Sequence, residues 1–458
     1  MFFQTIYTPS LSLNTYLIGS LETNCCAVID PCRQIAPIIA ATQSSGLTIT
    51  HIIETHVHAD FISGALELKQ ELNQTPLICC SAMGGKEWRC QYADQRVHEA
   101  DSFHFGSIKL KALHTPGHSP EHLSYLCYDE SRNKEVPWLL FTGDFLFVDG
   151  VGRPDLIEKE DKNSLSQLYD SLHTKLNSLP DFIEIFPAHT KGSICGPSYA
   201  GKSFSTLGYE RCCSPFFQNK DLSQWSQLIS QTLSSYPPHL KKVKQINLKG
   251  AELLENLTAL SSEGSLDAIE LEEFFIIDTR SAQKFAAFHL PGSINIAMHD
   301  HFSQWCQWFV PFDAPLAIVT EDHYRDAQIT SQLRLVGFDQ PLFYIALSSR
   351  LQSHLEGKNL ALIRPEELVK TKAKIIDVRS IQEWKQGHLS IAEHIELAKL
   401  TEKTELLSKN EPIVFMCRSG TRAAIAASFL QKKGFEKVAA LQGSLDSCMA
   451  AGLTIEKS

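Results

Sequence analysis

The 458-residue chain has no Cys-x-x-Cys pair, no basic run beyond Lys241-Lys242-Val243-Lys244, and no apolar stretch long enough to cross a bilayer. Each absence excludes a class of function. Without Cys-x-x-Cys, the usual thiolate-built structural zinc sites drop out. A formal net charge of -10 and the lack of a concentrated Lys/Arg field argue against a nucleic-acid partner, because phosphate binding depends on such a field. MFFQTIYTPS at the start shows neither a basic leader nor an apolar signal segment, so no membrane partner is expected and the reading is a cytoplasmic protein. The 13 cysteines are odd in number and scattered, which fits reduced thiols better than a disulfide framework. The vicinal pairs Cys25-Cys26, Cys79-Cys80 and Cys212-Cys213 read as small buried core residues.

What is present is length, and with 43% hydrophobic and 21% charged residues it is globular in character. A chain of this size suggests three domains of ~150 residues each. Up to about residue 240, short apolar strands such as Ile49-Glu54, Ile108-Leu113 and Ile183-Phe186 alternate with helical or turn segments, the pattern of a layered α/β domain. Tyr236-Pro237-Pro238 then interrupts it. Beyond that point the chain repeats itself: IIDTRSAQKFAAFHLPGSINI from Ile276 and IIDVRSIQEWKQGHLSIAEHI from Ile375 match Asp278 with Asp377, Arg280 with Arg379 and His289 with His388. Two copies of one α/β unit of about 100 residues therefore follow the first domain. The expected boundaries are 1–243, 244–355 and 356–458.

Four segments of the first domain end an apolar run with a metal-ligating residue type. THVHADF carries His56, His58 and Asp60; HTPGHS carries His118; LLFTGDF carries Asp144; IFPAHT carries His189. Loops after strands are where such side chains converge on an ion. The set resembles the metallo-β-lactamase superfamily, whose αββα sandwich presents these loops at one edge. In that superfamily the dinuclear zinc hydrolases read His-x-His-x-Asp-His, the Asp and last His building the second metal position. Here Phe61 stands in the last place, and an apolar ring cannot ligate a metal.

A 2-His-1-carboxylate face of His56, His118 and Asp144 suits Fe(II), leaving positions for substrate and O₂. His58 and Asp60 would hydrogen-bond behind those ligands, with His189 a weaker candidate. Together with Gly150-x-Gly-Arg-Pro-Asp155, this resembles the persulfide dioxygenase branch, in particular the members fused to rhodanese domains. The resemblance implies one Fe(II) per chain, oxidation of a low-molecular-weight persulfide to sulfite, and Arg153 and Asp155 as substrate-binding candidates. Zinc in a mononuclear thioesterase of the glyoxalase II type is the alternative. Cys195 in KGSICGPS, just after His189, is a candidate accessory thiol near the metal.

In the last repeat, PIVFMCRSGTRAAIAASFL puts Cys417 where a strand stops and an Ala-rich helix begins. Backbone N–H groups and the helix dipole there favour a thiolate or persulfide anion, and Arg422 adds a cation. Four residues, Arg418, Ser419, Gly420 and Thr421, separate Cys417 from Arg422. A phosphatase loop needs five, so this smaller cradle fits a sulfane sulfur, and the unit resembles a rhodanese. Aligning Arg325 with Arg422 puts Thr320 in the place of Cys417 in the middle copy, beside Glu321 and Asp322, so that copy is expected to be catalytically silent. The combined expectation is an α/β protein, a metallo-β-lactamase sandwich followed by two rhodanese-like domains. It would convert thiol persulfides and O₂ to sulfite and thiosulfate. A non-catalytic sulfur carrier or persulfide sensor is the remaining alternative, and homo-oligomerisation is compatible with any of these.

Overall fold

The computed structural model describes residues 1–156, 163–190, 201–233, 235–257 and 271–457. It divides into two compact units, Met1–Asn256 with Arg334–Gly337, and Leu257–Leu333 with Phe338–Ser458.

In the first unit, one six-stranded sheet runs in chain order: Phe2–Thr8, Leu13–Ser20, Cys25–Ile29, Thr48–Ile53, Leu77–Ser81 and Gln95–Val97. The second sheet has the spatial order Ser205–Thr206, Glu184–Pro187, Leu139–Gly143, Leu123–Asp129, Ile108–His114 and Ser102–Phe105. Alternation writes the strands: Phe103 and Phe105 are buried while His104 between them is exposed. The two sheets pack face to face, with Tyr16, Ile18, Ile29 and Ile53 of the first meeting Phe103, Leu110, Tyr125 and Phe141 of the second. The first sheet's outer face takes Ile38, Ala41, Ala65 and Leu68 from two helices, and the second sheet's takes Leu168, Trp225 and Ile229. That makes the four layers αββα. The helix Leu240–Lys249 belongs to this unit, with Leu248 in its core, so the compact unit runs past residue 243.

Cys26, Cys79 and Cys80 are buried core thiols, as their composition suggests. Cys212 and Cys213 are not, and the expectation for that pair is corrected: both are exposed. They end the helix Leu207–Cys213, whose buried residues are Leu207 and Glu210: Cys212 lies off that stripe, and Cys213, three residues after Glu210, is exposed as the helix's last residue. Among the described residues no helix is long and apolar enough to cross a membrane.

The second unit holds the two repeats. The first copy has the sheet order Ile294–Asn295, Phe275–Asp278, Leu316–Thr320, Leu342–Ala346; the second has Ala392–His394, Lys374–Asp377, Ile413–Met416, Val438–Leu441, Ala361–Ile363. All the pairings are parallel, and Asp278 pairs with Val319 as Asp377 pairs with Met416. The shared register puts Thr320 and Cys417 at the same place in each copy. The copies also bind one another: the Asn295 N–H donates to Ser428 Oγ at 3.0 Å, and Phe309 meets Phe429 edge-on at 5.2 Å.

Phe141 is 1% exposed and its ring lies 5.1 Å from Tyr16 and 6.0 Å from Phe186. Phe141→Ala is expected to cost the first unit about 3–5 kcal/mol in denaturant unfolding. A loss below about 1 kcal/mol would show that the two sheets do not share this core.

Candidate active sites

Asp144 follows the strand Leu139–Gly143 and is 0% exposed. Its Oδ2 lies 3.6 Å from His56 Nε2 and 3.8 Å from His118 Nε2. Both Asp144 Oδ2 and His56 Nε2 are buried without a hydrogen-bond partner. Buried orphan acceptors facing one another at that separation are costly unless a cation joins them. One donor atom each of His56, His58 and Asp144 also lies within 4.8 Å of the others, a grouping in which His58, and not His118, is the third member.

The tautomers are set by what stands behind each ring. Thr55 Oγ1 gives its only proton to Asp30 Oδ2 at 2.8 Å, so at 2.9 Å from His56 Nδ1 it can only accept, which leaves His56 Nε2 with a lone pair toward Asp144. His118 Nδ1 donates to the Arg153 carbonyl at 3.0 Å, with the same result. His58 Nε2 lies 3.2 Å from Asp30 Oδ1 and 3.8 Å from Glu54 Oε2. Asp30, Glu54 and His58 form a second buried group of potential ligands. Burial, with the neighbouring imidazoles of His58, His118 and His122, pushes His56 well below its usual range, and burial lowers His118 as well. Burial alone would raise Asp144, but His189, His56 and His118 hold its carboxyl well down. Burial would lower His58, but Asp30 and Glu54 raise it to about 9. Neutral His56 and His118 around an ionised Asp144 are the protonation states a divalent cation requires.

His189 takes neither state. Its Nδ1 donates to Asp144 Oδ1 at 2.7 Å, and its Nε2 is 3.0 Å from Asp60 Oδ2. Burial opposes its charge, yet these two carboxylates raise it well above an ordinary histidine. Asp60 is thereby engaged by His189. Phe61, 0% exposed, lies with its ring 4.3 Å from His58 and 6.0 Å from His189. The place that a third histidine would hold is filled by hydrocarbon.

Several residues of this site escape sequence reading. Asp30 ends a strand as His56 and Asp144 do, but a lone Asp carries no ligand signature; its backbone is left-handed at φ 51°. His122 accepts the Asp144 N–H at 3.1 Å, and Glu121 accepts the Val57 N–H at 2.8 Å between the two His of the first loop. Both stand in HTPGHSPEH, where the residues after His118 were the available signal. Gly143, at φ 51°, is required, because a Cβ would crowd His122 Nε2 and Thr55 Oγ1. Gly152 is required by contact, since a Cβ there would overlap the Asp144 carbonyl. Arg153 is 2% exposed and binds Asp155 through Nε at 2.7 Å and Nη2 at 2.8 Å, with Tyr236 beneath its guanidinium. Its carbonyl accepts from His118 Nδ1. Cys195 lies outside the described residues.

In the last repeat, Cys417 follows the strand Ile413–Met416, is 1% exposed, and accepts the Gly420 N–H at 3.1 Å. Gly420, left-handed at φ 87°, caps the helix Thr421–Lys432 and is the loop residue whose amide meets the sulfur. Arg418 and Ser419 are exposed, and Gly420, Thr421 and Arg422 half-buried. Arg422 is bound on both amino groups by Glu383, at 2.6 and 2.8 Å. Asp377 accepts the Arg379 guanidinium at 2.6 Å, and Arg379 reaches the Gly387 carbonyl at 2.8 Å. The middle copy repeats this brace with Asp278, Arg280 and the Phe288 carbonyl, but presents Thr320 Oγ1 where Cys417 has its sulfur.

Comparison with known proteins places each of these regions within a known family. A model of the metallo-beta-lactamase superfamily matches residues 10–189, and one of the rhodanese-like domain matches 258–348 and 365–451. Human mitochondrial persulfide dioxygenase ETHE1 is 30% identical over 211 residues, 46% of this chain and 73% of that protein. Hydroxyacylglutathione hydrolase of Rhodospirillum rubrum is 36% identical over 176 residues, 38% of this chain and 60% of that protein. The crystal structure of a metallo-beta-lactamase from Staphylococcus aureus subsp. aureus COL superposes with a TM-score of 0.69 at 33% identity, covering 75% of this chain and 98% of that one. The chain belongs to the metallo-β-lactamase superfamily, as a relative of the persulfide dioxygenases that carries two rhodanese-like domains behind the sandwich.

Proposed function

We propose that the sandwich domain oxidises the outer sulfur of a low-molecular-weight persulfide to sulfite, and that Cys417 transfers sulfane sulfur, the two together yielding sulfite and thiosulfate. The observation that carries this is the donor set: His56 and His118 face one oxygen of Asp144, while Phe61 fills the place of a donor to a second metal. Held there, Fe(II) would supply the one-electron chemistry that lets O₂ react with a closed-shell sulfur compound. The overall change balances as RSSH + O₂ + H₂O → RSH + SO₃²⁻ + 2 H⁺.

The chain's own residues orient and insulate this chemistry. Asp144 keeps Oδ1 on His189 and Oδ2 toward His56 and His118, so its carboxylate cannot rotate away. Asp30 through Thr55 and Arg153 through its carbonyl keep the two imidazoles in the ligating tautomer. Phe61 keeps water and a second cation out of the adjoining space. His189 holds a proton at Nδ1 against Asp144. At Cys417, the lone pair of sulfite attacks the outer sulfur of the Cys417 persulfide, the S–S bond breaks, and its electron pair remains on Sγ: Cys–S–S⁻ + SO₃²⁻ → Cys–S⁻ + S₂O₃²⁻. The Gly420 N–H receives that charge.

The likeness to hydroxyacylglutathione hydrolases supports a second reading, a mononuclear zinc thioesterase. Metal content separates the two. Anaerobically purified protein is expected to hold about one Fe per chain, and Phe61→His to raise the capacity toward two by restoring a donor. Two zinc ions per chain in the unaltered protein, with thioester hydrolysis and no O₂ uptake, would contradict the proposal.

Cys417→Ser is expected to lower sulfurtransferase turnover by about three orders of magnitude, because a hydroxyl is far less acidic and forms no persulfide. Iron content and sulfite formation from added persulfide should persist, with sulfite accumulating in place of thiosulfate. Thr320→Ala should leave both rates within about twofold. Thiosulfate production at the unaltered rate in Cys417→Ser, corrected for the spontaneous reaction, would remove Cys417 from the scheme.

A further inference from the structure

In each repeat the same helix position carries a charge that pairs with the loop at Thr320 or Cys417, with opposite signs and at different loop positions: Glu321 follows Thr320 directly, whereas Arg422 stands five residues after Cys417. Glu383 stands six residues after Asp377, and Lys284 six after Asp278. Glu383 binds Arg422, whereas Lys284 binds Glu321, the residue after Thr320. Both copies thus tie this helix position to the loop by an ion pair, and only in the copy with a thiol is the loop's member of that pair a cation. That cation is not available as a bare charge. Glu383 grips both amino groups of Arg422, and Ser380 donates to the same carboxylate through its N–H at 3.1 Å and its hydroxyl at 3.2 Å. Burial would raise the Glu383 carboxyl, but Arg422 and Ser380 hold it at about 2, so the pair stays ionised throughout the working pH range. Glu396, half-buried, adds a second carboxylate within electrostatic reach of Arg422. Arg418 is exposed and without an ion-pair partner among the described residues.

We infer that Glu383 is a specificity-determining residue of the sulfurtransferase loop: by pairing with Arg422 it weakens the cradle's hold on dianions such as thiosulfate, so that a singly charged persulfide is the preferred sulfur donor. The inference rests on Cys417 being the transferring nucleophile. Beside a thiolate, Arg422 and Arg418 would leave an excess positive charge; Glu383 cancels it. A dianion loses more than a monoanion from that cancellation, because Coulomb energy scales with charge. The same weakness lets thiosulfate leave once it has formed.

The full-length protein is assayed with thiosulfate and with glutathione persulfide as alternative donors, in the unaltered form, in Glu383→Gln, and in Glu321→Gln. The last changes net charge equally and breaks the ion pair of Lys284, which stands at the Glu383 position of the copy with Thr320. Glu383→Gln should lower the thiosulfate KM about 3–10-fold at low ionic strength, shift the persulfide KM less than about twofold, and lose its advantage in about 0.5 M salt. Glu383→Asp, which keeps the charge, should retain the original KM, and Glu321→Gln should match the unaltered protein. A thiosulfate KM that is unchanged or raised in Glu383→Gln, with kcat falling instead, overturns the inference in favour of a purely structural pair. Should Glu383→Gln fail to fold, the unaltered protein decides: a thiosulfate KM rising less than about threefold between 0.02 and 0.5 M salt supports a neutralised cradle, and a larger rise overturns it. Absence of any Cys417-dependent turnover would overturn the underlying assignment as well, a result distinct from an unchanged KM.

Discussion

A wholly buried carboxylate costs several kcal/mol unless positive or hydrogen-bonding partners surround it, and Asp144 is the carboxylate around which the sandwich edge is built. One oxygen is held by His189, the other faces His56 and His118, and its backbone N–H is received by His122. Those four histidines come from three separate loops, each following a strand of the sandwich. Gly143 and Gly152 exist in this neighbourhood because any side chain would strike the same assembly. The packing of the two sheets, with Phe141 and Tyr16 between them, keeps the strand ends that carry Asp144 and His56 in register.

The same principle, charge placed where a partner is waiting, governs the repeats. Asp377 with Arg379 and Asp278 with Arg280 are buried pairs that tie each strand end to the following loop. On this common brace the two copies diverge by a few atoms: a sulfur against a hydroxyl, and a Glu–Arg pair against a Lys–Glu pair. The copy with Thr320 contributes to the packing of the other. Its Asn295 and Phe309 lean on the helix whose N-terminus cradles Cys417.

Much of this was legible because the chemistry sits at strand ends, where an apolar run stops at a His, Asp or Cys. His56, His118, Asp144 and Cys417 announce themselves in that way, and the internal repeat shows through its offset. What stayed hidden depends on contacts distant in sequence. Arg422 looks like a free cation until Glu383, 39 residues earlier, is seen to bind it. His58 reads as a supporting residue, and only the fold shows that one of its ring nitrogens lies within 4.8 Å of donor atoms of both His56 and Asp144. Asp30 and His122 carry no signature of their own, because their task is to hold tautomers and backbone. Cys212 and Cys213 read as core because small thiols usually are, but they stand at the exposed end of a short helix.

The most direct test is oxygen consumption by the anaerobically isolated, iron-loaded protein given glutathione persulfide, with sulfite and metal measured in the same samples. The account predicts about one sulfite per O₂ consumed at about one Fe per chain, with both signals lost in Asp144→Ala while Cys417-dependent sulfur transfer continues. No oxygen uptake from persulfide by a fully iron-loaded protein, or uptake undiminished in Asp144→Ala, would contradict it.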